Sequence, residues 1–267
     1  MQYHEIKVKV NKNTKPSSFI GSALRGAFGH ALKETSCINP SYKCEGCFAK
    51  ENCLYHEFYE QSNGYRPFRF NVEVEQKNYD FGLVLFFMEG RESDLTFLVS
   101  ALSLMLNKYG LEKEHFKFPD STFVVETFSP LKQIFLPKVS STVLIKSLTP
   151  FILKQANRSL LKEINLEDIL SSIYKRKAFF EEGKAYAKPS FTPSYELISS
   201  KSHYQKTFRR SDAQGKKIPV EGYSIEMLVK NLDQESYELL KYGELVAVGN
   251  DTVRGYGRFS VELGMAL

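Results

Sequence analysis

The sequence predicts an α+β chain: two ferredoxin-like domains in tandem, closed by a C-terminal glycine-rich loop. Three observations predict it. Short alternating runs (strands) and 3.6-period runs (helices) follow one another in the order β-α-β-β-α-β, and that order begins again after Pro130 and Pro137. The length of 267 residues suits two domains of ordinary size. An apolar fraction of 42% with 25% charged residues describes a folded, water-facing chain.

The first unit is expected over 1–130. Tyr3 to Val10 alternates, with Ile6, Val8 and Val10 on one face, and reads as a strand. After a polar turn, Ser17 or Ser18 is expected to cap a helix running to about Lys33. Ile20, Leu24, Ala27, Phe28 and Ala31 form its apolar stripe, and Ser22, Gly26, Gly29, His30 and Lys33 fall on the other side. Two glycines inside a helix cost about 1 kcal/mol each against alanine, so another backbone is expected close by. For Gly26 a neighbouring protein segment is the preferred reading over a nucleic acid.

A cysteine-rich insertion follows at about 36–60, with Cys37, Cys44, Cys47 and Cys53 spaced C-x6-C-x2-C-x5-C. Four thiolates suit a structural zinc ion, and the central C-x2-C is a usual ligand knuckle. The irregular outer spacing leaves free thiols and an iron–sulfur cluster open. Phe68 to Glu75 and Phe81 to Glu89 read as strands, Leu95 to Tyr109 as a helix stopped by Gly110, and Phe123 to Phe128 as a strand.

The second unit is expected over 131–267. Its elements are a strand from Thr142 to Lys154, a helix from Leu166 to Glu182, hairpin strands Tyr195 to Lys206 and Gly222 to Lys230, and a short helix Asp233 to Leu240. Phe259 to Leu263 supplies the last strand. Around the hairpin turn, Lys201, Lys206, Arg209, Arg210, Lys216 and Lys217 face one acid, Asp212, and interleave with His203, Tyr204 and Phe208. Cations that neutralise phosphates beside rings that stack on bases are how single-stranded RNA is held; the competing reading is a solvated tip. Before the last strand, Gly249, Gly255 and Gly257 permit positive φ and are expected to leave N–H groups uncovered for a phosphate chain. Arg254, Tyr256 and Arg258 stand among them. A turn between two core elements would have a similar composition.

The net charge is only +5, so affinity for polyanions has to come from such clustering. The longest apolar run, Leu83 to Met88, is too short to span a bilayer, and Glu5, Lys7 and Lys9 speak against a signal-peptide core. A cytoplasmic protein without membrane attachment is expected, where four cysteines act as ligands or thiols rather than disulfides.

Three stretches together resemble one family. They are Gly21-Ser-Ala-Leu-Arg-Gly-Ala-Phe-Gly with the cysteine insertion ending Cys53-Leu-Tyr-His, the Phe208-Arg-Arg-Ser hairpin, and Gly249-Asn-Asp-Thr-Val-Arg-Gly-Tyr-Gly-Arg. The family is the CRISPR precursor-crRNA-processing endoribonucleases of the RAMP superfamily, in a branch with four cysteines after the first helix. The resemblance implies two ferredoxin-like (RRM-like) domains that recognise a CRISPR repeat RNA. It also implies cleavage without a catalytic metal, by attack of a 2′-hydroxyl on the adjacent phosphate, leaving 5′-hydroxyl and 2′,3′-cyclic phosphate ends. A histidine in or near the first helix is frequent in the family.

That chemistry asks for a base at the 2′-hydroxyl, an acid at the 5′-oxygen and cations on the phosphorane. Of five histidines, His30 stands on the polar side of the first helix, three residues before Lys33. His30 and Lys33, with Tyr204 assisting, are the expected catalytic set; His203 is next in line. Two other classes stay open. One is a non-catalytic RAMP subunit that binds RNA among the other subunits of a CRISPR effector complex. The other is a glycine-rich binding protein unrelated to RNA.

Overall fold

The computed structural model describes residues 3–12, 14–61, 64–86, 91–112, 115–128, 142–154, 160–184, 189–211 and 216–264. The chain forms two compact units, Met1–Pro130 and Leu131–Leu267. Each holds one four-stranded antiparallel sheet with two helices, in β-α-β-β-α-β order, which is the tandem ferredoxin-like architecture.

In the first unit β1 (Tyr3–Lys9), β2 (Phe68–Asn71), β3 (Phe81–Phe86) and β4 (Thr122–Phe128) lie in the order β2-β3-β1-β4. Alternation in β1 sends His4, Ile6 and Val8 inward, and β3, apolar throughout, is buried on both faces. Helix α1 (Gly21–Ser36) lays Leu24, Phe28, Ala31 and Leu32 into the core, where the Phe28 ring meets Phe70 edge-on at 5.8 Å. Helix α2 (Glu92–Leu104) packs beside α1 and widens into a π-turn over Met105–Tyr109, stopped by Gly110 at φ +72°. Ser17 and Ser18 do not cap α1. Its first residue is Gly21, and the Ser17 hydroxyl and N–H both donate to Glu112 Oε1. The second strand stops at Asn71 rather than Glu75, because β3 offers it partners only from Gly82 to Leu85.

The second unit repeats the plan. Strands β5 (Thr142–Ser147), β6 (Glu196–Ser211), β7 (Lys216–Lys230) and β8 (Phe259–Gly264) lie in the order β6-β7-β5-β8. Helices α3 (Leu166–Glu182) and α4 (Gln234–Val246) pack on each other. Asn165 and Asp168 form a reciprocal capping box on α3, and the Asp233 side chain accepts the Ser236 N–H at the start of α4. Three expected boundaries are corrected. Strand β5 ends at Ser147, and the Thr149-Pro150 step leaves isolated bridges at Phe151, Ile152 and Lys154. Helix α4 continues to Val246, because Gly243 and Val246 extend the buried stripe of Leu239, Leu240 and Tyr242. The basic stretch between the hairpin strands is itself strand, paired from Lys201↔Glu226 to Ser211↔Lys216. Only 212–215, with Asp212, lies outside the described residues. Among the described residues no helix is long and apolar enough to cross a membrane.

Candidate active site and nucleic-acid interface

The polar face of α1 carries the first candidate centre. His30 is exposed and stacks on Tyr109 from the end of α2, with ring centroids 5.8 Å apart and planes 24° from parallel. Tyr109 is itself held. Its hydroxyl donates to Glu34 Oε2 at 2.5 Å, and Lys108 Nζ reaches the same carboxylate at 2.7 and 2.8 Å. The hydrogen bond to Glu34, then burial, pushes the Tyr109 phenol up to about 12. The bonds from Lys108 and Tyr109 hold the Glu34 carboxyl below its usual range. One turn before His30, a Cβ built on Gly26 would meet nothing within 4 Å among the described residues. An open ledge therefore lies beside an imidazole braced on its far side. Among the described residues no protein backbone comes within 4 Å of that Gly26 position, which corrects the expectation of a neighbouring segment there; the close approach is at Gly29, against the Tyr59 ring.

Lys33 lies on α1 with His30, its Nζ 4.7 Å from the Tyr55 ring centroid. Tyr55 and Tyr59 stack in parallel at 5.4 Å, and Tyr59 stands over Gly29. Burial, then the hydrogen bond to Glu60, raises the Tyr55 phenol. The remaining histidines are placed differently. His4 is buried with Nδ1 2.8 Å from Thr127 Oγ1, His56 opens a π-turn, and His115 Nδ1 lies 3.0 Å from the Tyr109 carbonyl.

Cys37, Cys44, Cys47 and Cys53 are free and half-buried. Burial pushes the Cys44 thiol up, Lys33 pulls it down, and Glu60, Cys53 and Cys37 push it further up, so these groups are neighbours. Cys37 Sγ donates to the Asn39 carbonyl at 3.7 Å. Soft sulfur donors suit zinc in kind. Among the described residues no three His, Cys, Asp or Glu side chains converge to hold a metal.

On the hairpin, register decides what is displayed. Tyr204 pairs with Tyr223, Lys206 with Glu221 and Phe208 with Pro219, all on one face of β6 and β7. Tyr204 and Phe208 are 51% and 54% exposed, which makes them available as stacking surfaces. The Tyr204 and Tyr223 rings meet edge-on at 5.7 Å, and Lys206 Nζ lies 3.2 Å from Glu221 Oε1. Bonds from Tyr204 and Lys206 hold the Glu221 carboxyl low, and the bond to Glu221 raises the Tyr204 phenol. Lys201 and His203 are exposed on the opposite face of the same strand. Arg209, Arg210, Lys216 and Lys217 continue both strands toward the tip, Arg210 opposite Lys217; their side chains lie outside the described residues.

The glycine-rich loop corrects an expectation. Gly249, Gly255 and Gly257 do take positive φ, at +79°, +87° and +78°. Their N–H groups are nevertheless engaged inside the protein, with Ser172 Oγ, the Thr252 carbonyl and the Pro150 carbonyl. A Cβ on Gly257 would lie 1.8 Å from the Val248 carbonyl oxygen, so the glycines serve close backbone packing. Tyr256, which stands among these glycines, is 2% exposed, and its hydroxyl lies 2.8 Å from Thr207 Oγ1 on β6. Arg254 pairs with Asp251, and the Arg258 N–H donates to Thr149 Oγ1 at 2.9 Å. The loop packs inside the second unit and meets the hairpin at Thr207.

Residues 1–140 match the family AF_1859_N, described as an N-terminal domain. No curated protein matches the chain. Among solved structures, the product complex of a Cas6 protein superposes with a TM-score of 0.57 at 13% identity, covering 98% of this chain and 100% of that one. A Cas6 product complex from Thermus thermophilus gives 0.55 at 15%, covering 98% and 99%. A RAMP protein described as binding different RNA substrates gives 0.52 at 13%, covering 98% and 100%. The structural neighbours are thus Cas6 and RAMP proteins, and at these identities the likeness is one of fold.

Proposed function

As a member of the AF_1859_N family, whose N-terminal domain it carries over residues 1–140, the chain is one that we propose binds CRISPR repeat RNA and cleaves precursor crRNA. The observation that carries this reading is the exposed His30 ring, braced on Tyr109 beside the open ledge at Gly26. An RNA backbone laid along that ledge brings a phosphodiester to His30, with Lys33 three residues on. The 2′-oxygen attacks the adjacent phosphorus as its proton passes to a base. The P–O5′ bond breaks, and the leaving oxygen takes a proton from an acid. His30 serves one of these transfers, and Lys33 balances charge on the phosphorane. The products are a 2′,3′-cyclic phosphate and a 5′-hydroxyl. Like the neighbours solved as product complexes and with RNA substrates, this chain offers rings and cations on one long hairpin, where Tyr204 and Phe208 stack on bases and the basic residues meet phosphates. Tyr204 is assigned to binding there.

A structural zinc ion in the cysteine segment is also proposed. It requires Cys37, Cys44, Cys47 and Cys53 to draw together on binding, and no step of cleavage passes through it. The test of function is incubation of the purified protein with its own repeat RNA in EDTA, read on a denaturing gel. Cut RNA with cyclic phosphate ends, and no cut when the attacking 2′-hydroxyl is absent, is the expected result. RNA bound tightly and left intact would overturn the nuclease and leave an RNA-binding subunit.

A further inference from the structure

Arg25 and Arg66 both engage Tyr59, Arg25 over its ring and Arg66 at its backbone carbonyl. The Arg25 guanidinium carbon stands 5.0 Å from the Tyr59 ring centroid, and the Tyr59 hydroxyl donates to the Arg25 carbonyl at 2.7 Å. Arg66 Nη2 donates to the Tyr59 carbonyl at 3.2 Å. Neither arginine forms an ion pair among the described residues, and Arg25 Nε is buried there without a hydrogen-bond partner. Burial, then the charge of Arg25, holds Arg66 below the usual guanidinium range despite Glu60 nearby. The Glu60 carboxylate is engaged by the Tyr55 hydroxyl at 2.8 Å.

Two half-buried cations that repel each other and keep most of their donors free are an unfavourable arrangement for a fold alone. Each guanidinium presents five N–H donors in a planar fork, the geometry that matches a phosphate bidentately. The Tyr59 face steadies Arg25 from below, and Tyr59 is itself stacked on Tyr55, so the fork is set before a ligand arrives. Arg25 precedes His30 by five residues, about 7.5 Å along the helix axis. Five residues also turn the helix by about 140°, with Gly26 between the two, so a strand leaving His30 meets Arg25 by crossing α1 over the open Gly26 position.

We infer that Arg25 and Arg66, seated on Tyr59, form a phosphate subsite separate from the His30 centre, gripping one further phosphodiester of the bound RNA strand. The inference rests on the RNA-processing reading above. Its test uses the full chain with Arg25→Gln and Arg66→Gln, and repeat RNA made uncleavable by a 2′-deoxy nucleotide at the cut. Each variant should bind on the order of tenfold more weakly, and the slope of log affinity against log salt should become shallower by about 0.7, the share of one single-strand phosphate. The melting temperature should hold or rise, because a like-charge repulsion is removed. Replacing single phosphates by methylphosphonate should reveal one position that weakens the wild type and is silent in the variants. Unchanged affinity and slope in both variants, or a lower melting temperature with an unchanged slope, overturns the subsite and makes the arginines packing groups. Inorganic phosphate that stabilises the wild type alone, with equal RNA binding in all three proteins, assigns the site to free phosphate and also overturns it. A wild type that neither prefers nor cuts repeat RNA fails the functional reading first and takes this subsite with it.

Discussion

Two glycines one turn apart on α1 should respond in opposite ways to the same methyl group. A Cβ at Gly26 meets nothing within 4 Å, and its φ is not positive. Gly26→Ala should therefore gain the ordinary helix-interior difference, about 0.5–1 kcal/mol. For a domain of this size that raises the unfolding midpoint by about 2–5 °C. At Gly29 the same Cβ would sit 2.7, 3.0 and 3.2 Å from Tyr59 Cε1, Cζ and Cδ1. Tyr59 cannot easily yield, since its hydroxyl is bonded to the Arg25 carbonyl and its ring is stacked on Tyr55. Overpacking of this kind costs about 1–3 kcal/mol and outweighs the helix gain. Gly29→Ala should unfold at lower urea than the wild type, Gly26→Ala at higher. Function should follow the other order: Gly26→Leu, folded and stable, should lose repeat-RNA affinity because it fills the ledge beside His30. Equal destabilisation by both alanines would refute the geometry of α1. Wild-type binding and cleavage by Gly26→Leu would refute the ledge as the path of the RNA.

Three other predictions follow from the placement of particular side chains. The Arg209→Ala/Arg210→Ala double variant should bind repeat RNA more weakly and with a shallower salt slope, because two phosphate contacts are lost; a filter-binding titration checks this. Metal analysis should find about one zinc per chain, with Cys44→Ser lowering it and loosening 36–60 to proteolysis, whereas four titratable thiols in a metal-free folded sample would end the zinc proposal. Burial holds the His4 imidazole below its ordinary range, so the unfolded chain takes up that proton first. Stability of the first unit should then decline as pH falls below about 6.5, and His4→Gln should flatten that limb of the urea-midpoint curve.

How much of this was legible in the sequence differs from residue to residue. The apolar stripe Leu24, Phe28, Ala31 with His30 opposite is a local property of one helix, and periodicity reports it directly. Spacing puts Gly29 and Lys33 on the polar side of α1, but nothing local marks Arg25, whose place is given by the Tyr59 ring that it covers. Tyr109 had no signal at all, since its meeting with His30 joins residues 79 positions apart. The hairpin is longer than alternation predicts because Arg209, Arg210 and Ser211 on β6 and Lys216 and Lys217 on β7 give no apolar face near the tip, which leaves no period to detect there. Glycines 249, 255 and 257 gave the positive φ correctly. Composition could not tell that Ser172 and Pro150 take the N–H groups of Gly249 and Gly257, because partners so distant in the chain leave no mark on a local pattern.

The central claim is that His30 moves a proton in the cleavage of the repeat. It is tested by single-turnover cleavage at saturating enzyme in EDTA, comparing wild type, His30→Ala, His203→Ala and Tyr204→Phe. The account predicts that His30→Ala binds the repeat at the wild-type level and cuts on the order of 10²–10⁴-fold more slowly, while neither hairpin variant slows the cleavage of bound RNA. Wild-type cleavage by His30→Ala, with the loss falling on His203→Ala or Tyr204→Phe, would contradict it and move the chemistry to β6.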